Sequence, residues 1–325
     1  MAAQAFSSLA DNALFIAAIA LIQELHGPDW LAPMMKWSFA LAYVVLAAFV
    51  GALADSFPKG RVMFSTNALK VAGCLLMFSY ASIGVAPEYQ TYLVCAAYAV
   101  VGIGAAAYSP AKYGIVTEML PPHMLVKGNS WIEGLTVFSI ILGTVLGGLL
   151  ISSSVSSALL SHSFIGNLVH TPAEAAILVI AFVYLLAALC NLMIPRTHVR
   201  YPPQQKNPVR LIRTFWGYVC VLWRDKLGQI SLAVTTLFWG AGATLQLIVI
   251  EWGRSHLGYQ LDKASMLMGV AALGTVVGSI LAGRIPLRRA LAVLPVGAAM
   301  GLVVLLMPLV LSLIHISEPT RPERI

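Results

Sequence analysis

The sequence predicts an all-α polytopic membrane protein, and three observations carry that prediction. Of the 325 residues, 59% are hydrophobic and only 10% are charged, with a mean hydropathy of +0.84, a composition foreign to soluble globular domains. Apolar runs of about 20 residues recur along the chain, each long enough to cross about 30 Å of hydrocarbon as a helix. Lysine and arginine concentrate in alternate connections between those runs, the asymmetry of a chain threaded back and forth through a bilayer.

The same composition excludes other classes. The net charge of +7 would point to nucleic acid in a soluble domain, but here it belongs to one side of a membrane. Cys74, Cys95, Cys190 and Cys220 are scattered, mostly inside apolar segments, with no C-x-x-C pair. They read as small packing residues, not as a redox pair or a metal site. Met1 leads directly into an apolar run, so no cleavable signal peptide is visible.

The first span covers Met1 to Leu25 and holds Asp11 and Asn12 in its middle third, ahead of the turn His26-Gly27-Pro28-Asp29. A carboxylate at that depth is costly and marks either a functional site or the buried partner of a neighbouring helix end. Ser7, Ser8 and Asp11 fall at helical spacing, which lays a polar stripe along one face. No basic residue precedes Asp11, so Met1 reads as an internal start that lacks a short basic leader. The second span, Pro33 to Ala54, ends in the tight polar loop GALADSFPKGR before the third span, Val62 to Ile83. Gly51, Asp55, Lys59 and Arg61 gather there, either as a cytoplasmic gate locked by charge pairing and helix-end interactions or as a plain solvated turn.

The fourth span, Thr91 to Tyr108, runs into VGIGAAAYSPAKYGIV. Gly102 and Gly104 with Ala105, Ala106 and Ala107 leave a surface poor in side chains, open to a neighbouring helix or a lipid-like ligand. Pro110 is expected to break the helix and leave Lys112 near the mouth of a helix end, a binding residue or a snorkelling lysine. Past Pro121-Pro122 and Lys127 comes the fifth span, Trp131 to Ile151, with Glu133 just inside it, either a site residue or a helix-start acid favoured by the dipole. Gly143, Gly147 and Gly148 give this span a smooth packing face. After a serine-rich connection, Ser152 to His170, the capping box Thr171-Pro172-Ala173-Glu174 starts the sixth span, which runs to Met193.

Composition then changes sharply. Pro195 to Pro208 carries arginines, a lysine, Pro202-Pro203 and Gln204-Gln205, the signature of a linker between two bundles. Val209 to Lys226 mixes Arg210, Arg213 and Arg224 with Phe215, Trp216 and Trp223, the pattern of an amphipathic helix lying on an anionic membrane surface. The seventh span, Ser231 to Ile250, places Gln246 inside the membrane; the eighth is Ala264 to Leu281, with Gly274 and Gly278 as a packing face. Arg284, Arg288 and Arg289 precede the ninth, Ala290 to Val310. With a cytoplasmic amino terminus, the outward loops hold only Lys36, Arg254 and Lys263, and all other loop cations face inward. From Leu311 the chain reads LSLIHISEPTRPERI, unlike any earlier span or loop and akin to a translated sequencing-library adapter. The expectation is a six-helix bundle over 1–195, a basic cytoplasmic linker with its interfacial helix over 196–227, an incomplete second bundle of about three helices over 228–310 and a non-native tail over 311–325.

Six helices, a basic linker and a second bundle resemble the major facilitator superfamily, whose two halves rock about a midplane site. The loop GALADSFPKGR is similar to that superfamily's G-x-L-A-D-x-x-G-R-[KR] signature through Gly51, Leu53, Ala54 and Asp55, with Pro58 in place of the second glycine. Tyr98 stands where many proton-coupled members carry an arginine four residues before Gly102, a departure from proton-driven drug or sugar exchange. A closer resemblance covers nearly the whole chain to Val310: LADNALFIAAIAL, VGALADSFPKGRVM, VGIGAAAYSPAKYGI, LVKGNSWIEG and LFWGAGATL are similar to the lysophospholipid transporter family of Gram-negative inner membranes. That resemblance implies inward movement of lysophospholipid for re-acylation, coupled to a cytoplasmic acyltransferase/acyl-carrier-protein synthetase. It carries over Asp11 as the intramembrane acid and Lys112 as the basic residue after the fourth helix; Gln246 stands where the family has an arginine.

The expected substrate has one acyl chain and a charged head, so its path needs sparse polar groups beside an open apolar seam. Asp11 is expected to handle the head group's ammonium or to take part in gating, Asn12 and Gln246 to offer uncharged hydrogen bonds, and Lys112 to draw phosphate. The competing class is a drug or small-solute exporter on the same scaffold. No nucleophile, metal cluster or phosphate loop precedes Val310, so neither enzyme activity nor a cofactor is expected; a third reading makes the chain the membrane part of a longer fusion with an acyltransferase. Lacking the helices that would close a second half, the chain as written is expected neither to transport nor to stay well folded.

Overall fold

A computed structural model describes residues 1–161, 169–195, 197, 199, 201–202, 204, 207–270, 274 and 277. The account concerns the unit Met1–Thr275; a second unit begins at Val276 and, save residue 277, lies outside the described residues. The ninth span, the tail, Gly278, Arg284, Arg288, Arg289 and the linker residues Arg196, Arg200 and Lys206 therefore fall outside them as well.

Among the described residues all regular structure is helical. The helices are α1 (Ala2–Glu24), α2 (Leu31–Ser56), α3 (Lys59–Phe78), α4 (Pro87–Met119), α5 (Leu125–Ile151), the short α6 (Ser153–Ser161), α7 (Pro172–Leu192), α8 (Pro208–Arg224), α9 (Lys226–Ser255) and the start of an eighth span, α10 (Leu261–Met266). Seven of them, α1 to α5, α7 and α9, are long and apolar enough to cross a bilayer, as they must be when hydrocarbon offers no partner to backbone N–H and C=O groups. The chain is a multi-pass membrane protein.

α1 is the helix the others surround: it packs on α5, α7 and α4, and every residue from Asn12 to Ile22 is buried. α4 in turn packs on α2 and α3, and α3 on α7. Towards the α1–α2 connection the bundle is filled by apolar side chains of α1, α4 and α7, joined by Ile250, Leu261 and Ala264. Close approach of α5 depends on its glycines. Gly143 and Gly147 lie on the α1 backbone, a Cβ at Gly147 standing 2.8 Å from the Ala13 carbonyl oxygen, while a Cβ at Gly148 would stand 2.5 Å from Ser265 Oγ of α10. In lipid, where apolar side chains gain nothing by leaving solvent, such backbone contact is what holds helices together. Gly147→Val is expected to push α5 off α1 at a cost of about 1–3 kcal/mol, read as a lower melting temperature in detergent. Gly51→Ala, where an added Cβ meets nothing within 4 Å, should leave that temperature unchanged.

Several boundaries depart from the sequence reading. α4 runs through Pro110 without a break to Met119, so Lys112 sits inside a helix and not at a helix mouth. A proline forfeits one backbone bond, but unwinding the helix in hydrocarbon would expose many more. α5 begins at Leu125, not Trp131, which places Glu133 beyond the first turn and removes its reading as a helix-start acid. The polar loop after the second span shrinks to Phe57 and Pro58, with Asp55 closing α2 and Lys59 opening α3. Ser153–Ser161 of the serine-rich connection is helical. Lys36, counted as an outward loop residue, lies within α2.

The caps follow the sequence more closely. Thr171 Oγ1 accepts from the Glu174 N–H at 3.2 Å, as a capping box requires. The Glu174 carboxylate accepts instead from the His170 N–H at 2.7 Å and the Tyr80 hydroxyl at 2.8 Å. Asn207 caps α8, none of whose residues is buried, and Asp225 caps α9 by accepting from the Gly228 N–H at 2.8 Å.

Candidate functional site

Asp11 lies on the polar stripe of α1, and its partner is Lys70 of α3. The Lys70 ammonium donates to Asp11 Oδ1 at 2.7 Å and Oδ2 at 3.0 Å, and to Ser7 Oγ at 2.9 Å. The Tyr184 hydroxyl, from α7, donates to Asp11 Oδ1 at 2.7 Å. Ser7 passes the chain on by donating to Asn67 Oδ1 at 2.8 Å. Lys70 is 1% exposed, whereas 17% of the Asp11 side chain remains accessible, so the carboxylate is the half of the pair that a ligand can reach. Withdrawing two charges from water costs several kcal/mol each, repaid only when geometry and extra hydrogen bonds are good; Tyr184 and Ser7 supply those bonds.

One glycine of α4 serves this pair. A Cβ at Gly104 would stand 2.8 Å from Lys70 Cγ and 2.9 Å from the Thr66 carbonyl oxygen, so the lysine stem occupies the room that the glycine leaves. Gly102 faces α2, where a Cβ would meet Phe39 Cα at 3.0 Å. The smooth face thus receives neighbouring helices.

The other predicted residues fall into separate places. Asn12 turns back on its own helix, donating to the Ser8 carbonyl at 3.0 Å, and does not join Asp11. Gln246, fully buried, accepts from the Lys36 ammonium at 2.9 Å and donates to Thr144 Oγ1 at 2.8 Å, tying α9 to α2 and α5. The Lys36 ammonium also lies 4.5 Å from the centre of the Phe15 ring. Lys112, buried, lies 4.3 Å from the centre of the Tyr113 ring, and the Tyr113 hydroxyl donates to Glu133. Lys112 and Glu133 therefore meet through Tyr113 and not as an ion pair.

Because Gln246 faces a cation, its replacement by arginine has a definite outcome. Gln246→Arg would bury a second positive charge beside Lys36 with no carboxylate free to pair with it among the described residues, a loss of about 3–5 kcal/mol for an uncompensated buried charge. The detergent melting temperature should fall, and adding Lys36→Gln, which merely moves one charge across the contact, should restore most of it.

At the end carrying the α2–α3 connection, three of the four predicted gate-loop residues draw different fates. The buried Lys59 ammonium pairs with Asp55 Oδ1 at 3.2 Å and Glu118 Oε1 at 3.0 Å. Glu118 also accepts from the hydroxyls of Thr197 and Tyr201, the latter at 3.0 Å, so the linker is fastened to the end of α4. Burial first, then the hydrogen bond to Glu118, raises the Tyr201 phenol above its ordinary pKa. A Cβ at Gly114 would collide with the Lys59 stem. Arg61 is exposed, with no carboxylate in ion-pair range among the described residues. A cleft of about 490 Å³ opens here, lined by Asp55, Lys59, Arg61, Glu118, Asn191 and Tyr201 among others.

Sequence reasoning missed Lys70, Tyr184 and Glu118. The signal for Lys70 was present: a lysine in the middle of an apolar span carries the same meaning as an aspartate there. Nothing local marks the other two. Among the described residues, no group of three or more His, Cys, Asp or Glu side chains is placed to hold a metal ion.

The chain matches the Major Facilitator Superfamily family model over residues 1–317. It is 38% identical over 310 residues to the lysophospholipid transporter LplT of Pectobacterium carotovorum subsp. carotovorum (strain PC1), covering 94% of this chain and 69% of the relative. The lysophospholipid transporter LplT of Serratia proteamaculans (strain 568) is 37% identical over 305 residues, 93% of this chain and 69% of the relative. That of Yersinia enterocolitica serotype O:8 / biotype 1B (strain NCTC 13174 / 8081) is 38% identical over 307 residues, 94% and 69%.

Proposed function

Because the chain belongs to the major facilitator superfamily and, within it, to the lysophospholipid transporter family, we propose that it moves lysophospholipid across the bacterial inner membrane to the cytoplasmic leaflet, where an acyltransferase/acyl-carrier-protein synthetase rebuilds the diacyl lipid. The relatives are named as transporters, not enzymes. The observation that carries the reading to particular residues is the Asp11/Lys70 pair deep among apolar helices. A zwitterionic head group presents one cation and one anion. In this reading its ammonium takes the accessible face of Asp11, while Lys70 holds the carboxylate's charge when no cargo is present. Lys112, further along α4, draws the phosphate, and Glu133 on α5, linked to it through Tyr113, takes part in gating; Asn12 and Gln246 shape the helices around the path. The acyl chain runs along apolar helix surface, where sparse ions and small residues leave it undisturbed.

The organisation proposed for this task is a bundle over 1–195, a cytoplasmic linker with an interfacial helix over 196–227, and the second bundle from 228. The amino terminus and the α2–α3 connection then face the cytoplasm. Gly51, Asp55, Lys59 and Arg61 act there as a gate, with Glu118 as the anion that Lys59 holds. An exporter of soluble cations on this scaffold would need a proton gradient. Lysophosphatidylethanolamine uptake into proteoliposomes of a complete homologue should therefore persist in the presence of an uncoupler; uptake that collapses on uncoupler addition would point to the exporter class.

A further inference from the structure

A buried polar seam leads from the ion pair towards the α2–α3 end. The α3 face turned to α4 and α7 carries Lys59, Met63, Asn67 and Lys70, each about one turn from the last. Asn67, 0% exposed, accepts from Ser7 through Oδ1, but its Nδ2 finds no partner among the described residues. On α7, Asn191, 1% exposed, donates from Nδ2 to the Met63 carbonyl at 3.2 Å and leaves Oδ1 unpartnered. On α4, Tyr108 packs with Met63, Val62, Ala54 and Ala111. Its ring centre is 5.3 Å from the Lys70 ammonium, and its buried hydroxyl lies beside the Asn191 amide, with no hydrogen bond of good geometry among the described residues. Asn191 also lines the cleft at the α2–α3 end, so one end of the seam meets solvent.

Buried polar groups in native proteins are satisfied by protein or by ordered water. Here Asn67 Nδ2 can only donate, Asn191 Oδ1 can only accept, and the Tyr108 hydroxyl can do both. Water completes such a set. A metal cation does not, because Asn67 offers it a donor and the Lys70 ammonium beside it would repel it. We propose that ordered water occupies the seam between α3, α4 and α7 bounded by Asn67, Tyr108 and Asn191, connecting Lys70 to the cleft at the α2–α3 end. Water behind Lys70 gives the ammonium a partner whenever Asp11 turns to cargo; that consequence rests on the transport reading, whereas the water site does not.

Hydroxyl-radical footprinting by X-ray radiolysis of the whole chain in nanodiscs tests the site, because buried side chains label quickly only beside bound water. Leu21, fully buried in the apolar core, is the dry standard. After correction for intrinsic reactivity, Tyr108 should label clearly faster than Leu21, and Asn191→Leu should bring it down to the Leu21 rate with Leu21 unchanged. A wild-type Tyr108 as slow as Leu21 overturns the proposal without any variant. So does an Asn191→Leu protein that keeps the slow Leu21 rate and a fast Tyr108. A dry Tyr108 in a protein that still takes up lysolipid removes the water site alone, and a wet Tyr108 in one that takes up none removes the transport reading alone.

Discussion

In a complete homologue, replacing the residue equivalent to Asp11 with Asn is expected to reduce lysophosphatidylethanolamine uptake by proteoliposomes to the level of empty vesicles. The amide keeps the size of the carboxylate and one oxygen that can accept from Tyr184 and Lys70, but it strands the buried Lys70 ammonium at a cost of about 3–5 kcal/mol, so uptake is compared per folded protein. What disappears is the charge that makes a membrane-buried site attractive to an ammonium, and no other carboxylate among the described residues lies within ion-pair distance of Lys70. Uptake normalised to folded protein and still above half the wild-type rate would remove Asp11 from the path. Glu133→Gln is the comparison: Glu133 meets Lys112 only through Tyr113, and its loss should slow uptake less than loss of Asp11.

The second large effect concerns stability. Lys70→Met leaves the Asp11 carboxylate among apolar helices with Tyr184 alone, and breaking a buried pair on one side costs about 3–5 kcal/mol. The purified variant should melt well below the wild type in detergent. Adding Asp11→Asn removes the stranded charge, and the double variant should regain most of the lost stability, since a buried ion pair and a neutral pair of similar volume are often equivalent. It should not regain uptake. A double variant no more stable than Lys70→Met would mean that Asp11 and Lys70 do not share one buried interaction. Gly104→Leu should resemble Lys70→Met in part, because its side chain would claim the space of the lysine stem.

Much of the fold could be read in one dimension. The starts of α2, α7 and α9 fall within a few residues of their expected places, and the α7 cap is the one its Thr-Pro-Ala-Glu run announces. Pro110 misled because a proline's local preference is weak against the cost of unwinding a helix in lipid. Asp11 was legible as a costly residue, but its partner was not. Gln246, expected to offer uncharged hydrogen bonds along the path, meets Lys36 and Thr144 in space. Glu118 drew no reading from the sequence, and its role came from space, where Lys59, Thr197 and Tyr201 converge on it.

Composition and hydrophobic run length by themselves determined that this chain crosses a membrane repeatedly as helices, because hydrocarbon leaves an unpaired backbone no other solution. They also determined that a carboxylate at Asp11 had to be compensated somewhere. Only the tertiary structure decided where. Lys70 is 59 residues away along the chain and Tyr184 is 173, and a buried charge selects its partners by distance in space. That distance is set by which helices pack together, and the packing is set in turn by small residues such as Gly104 and Gly147, whose effect lies in the room they leave.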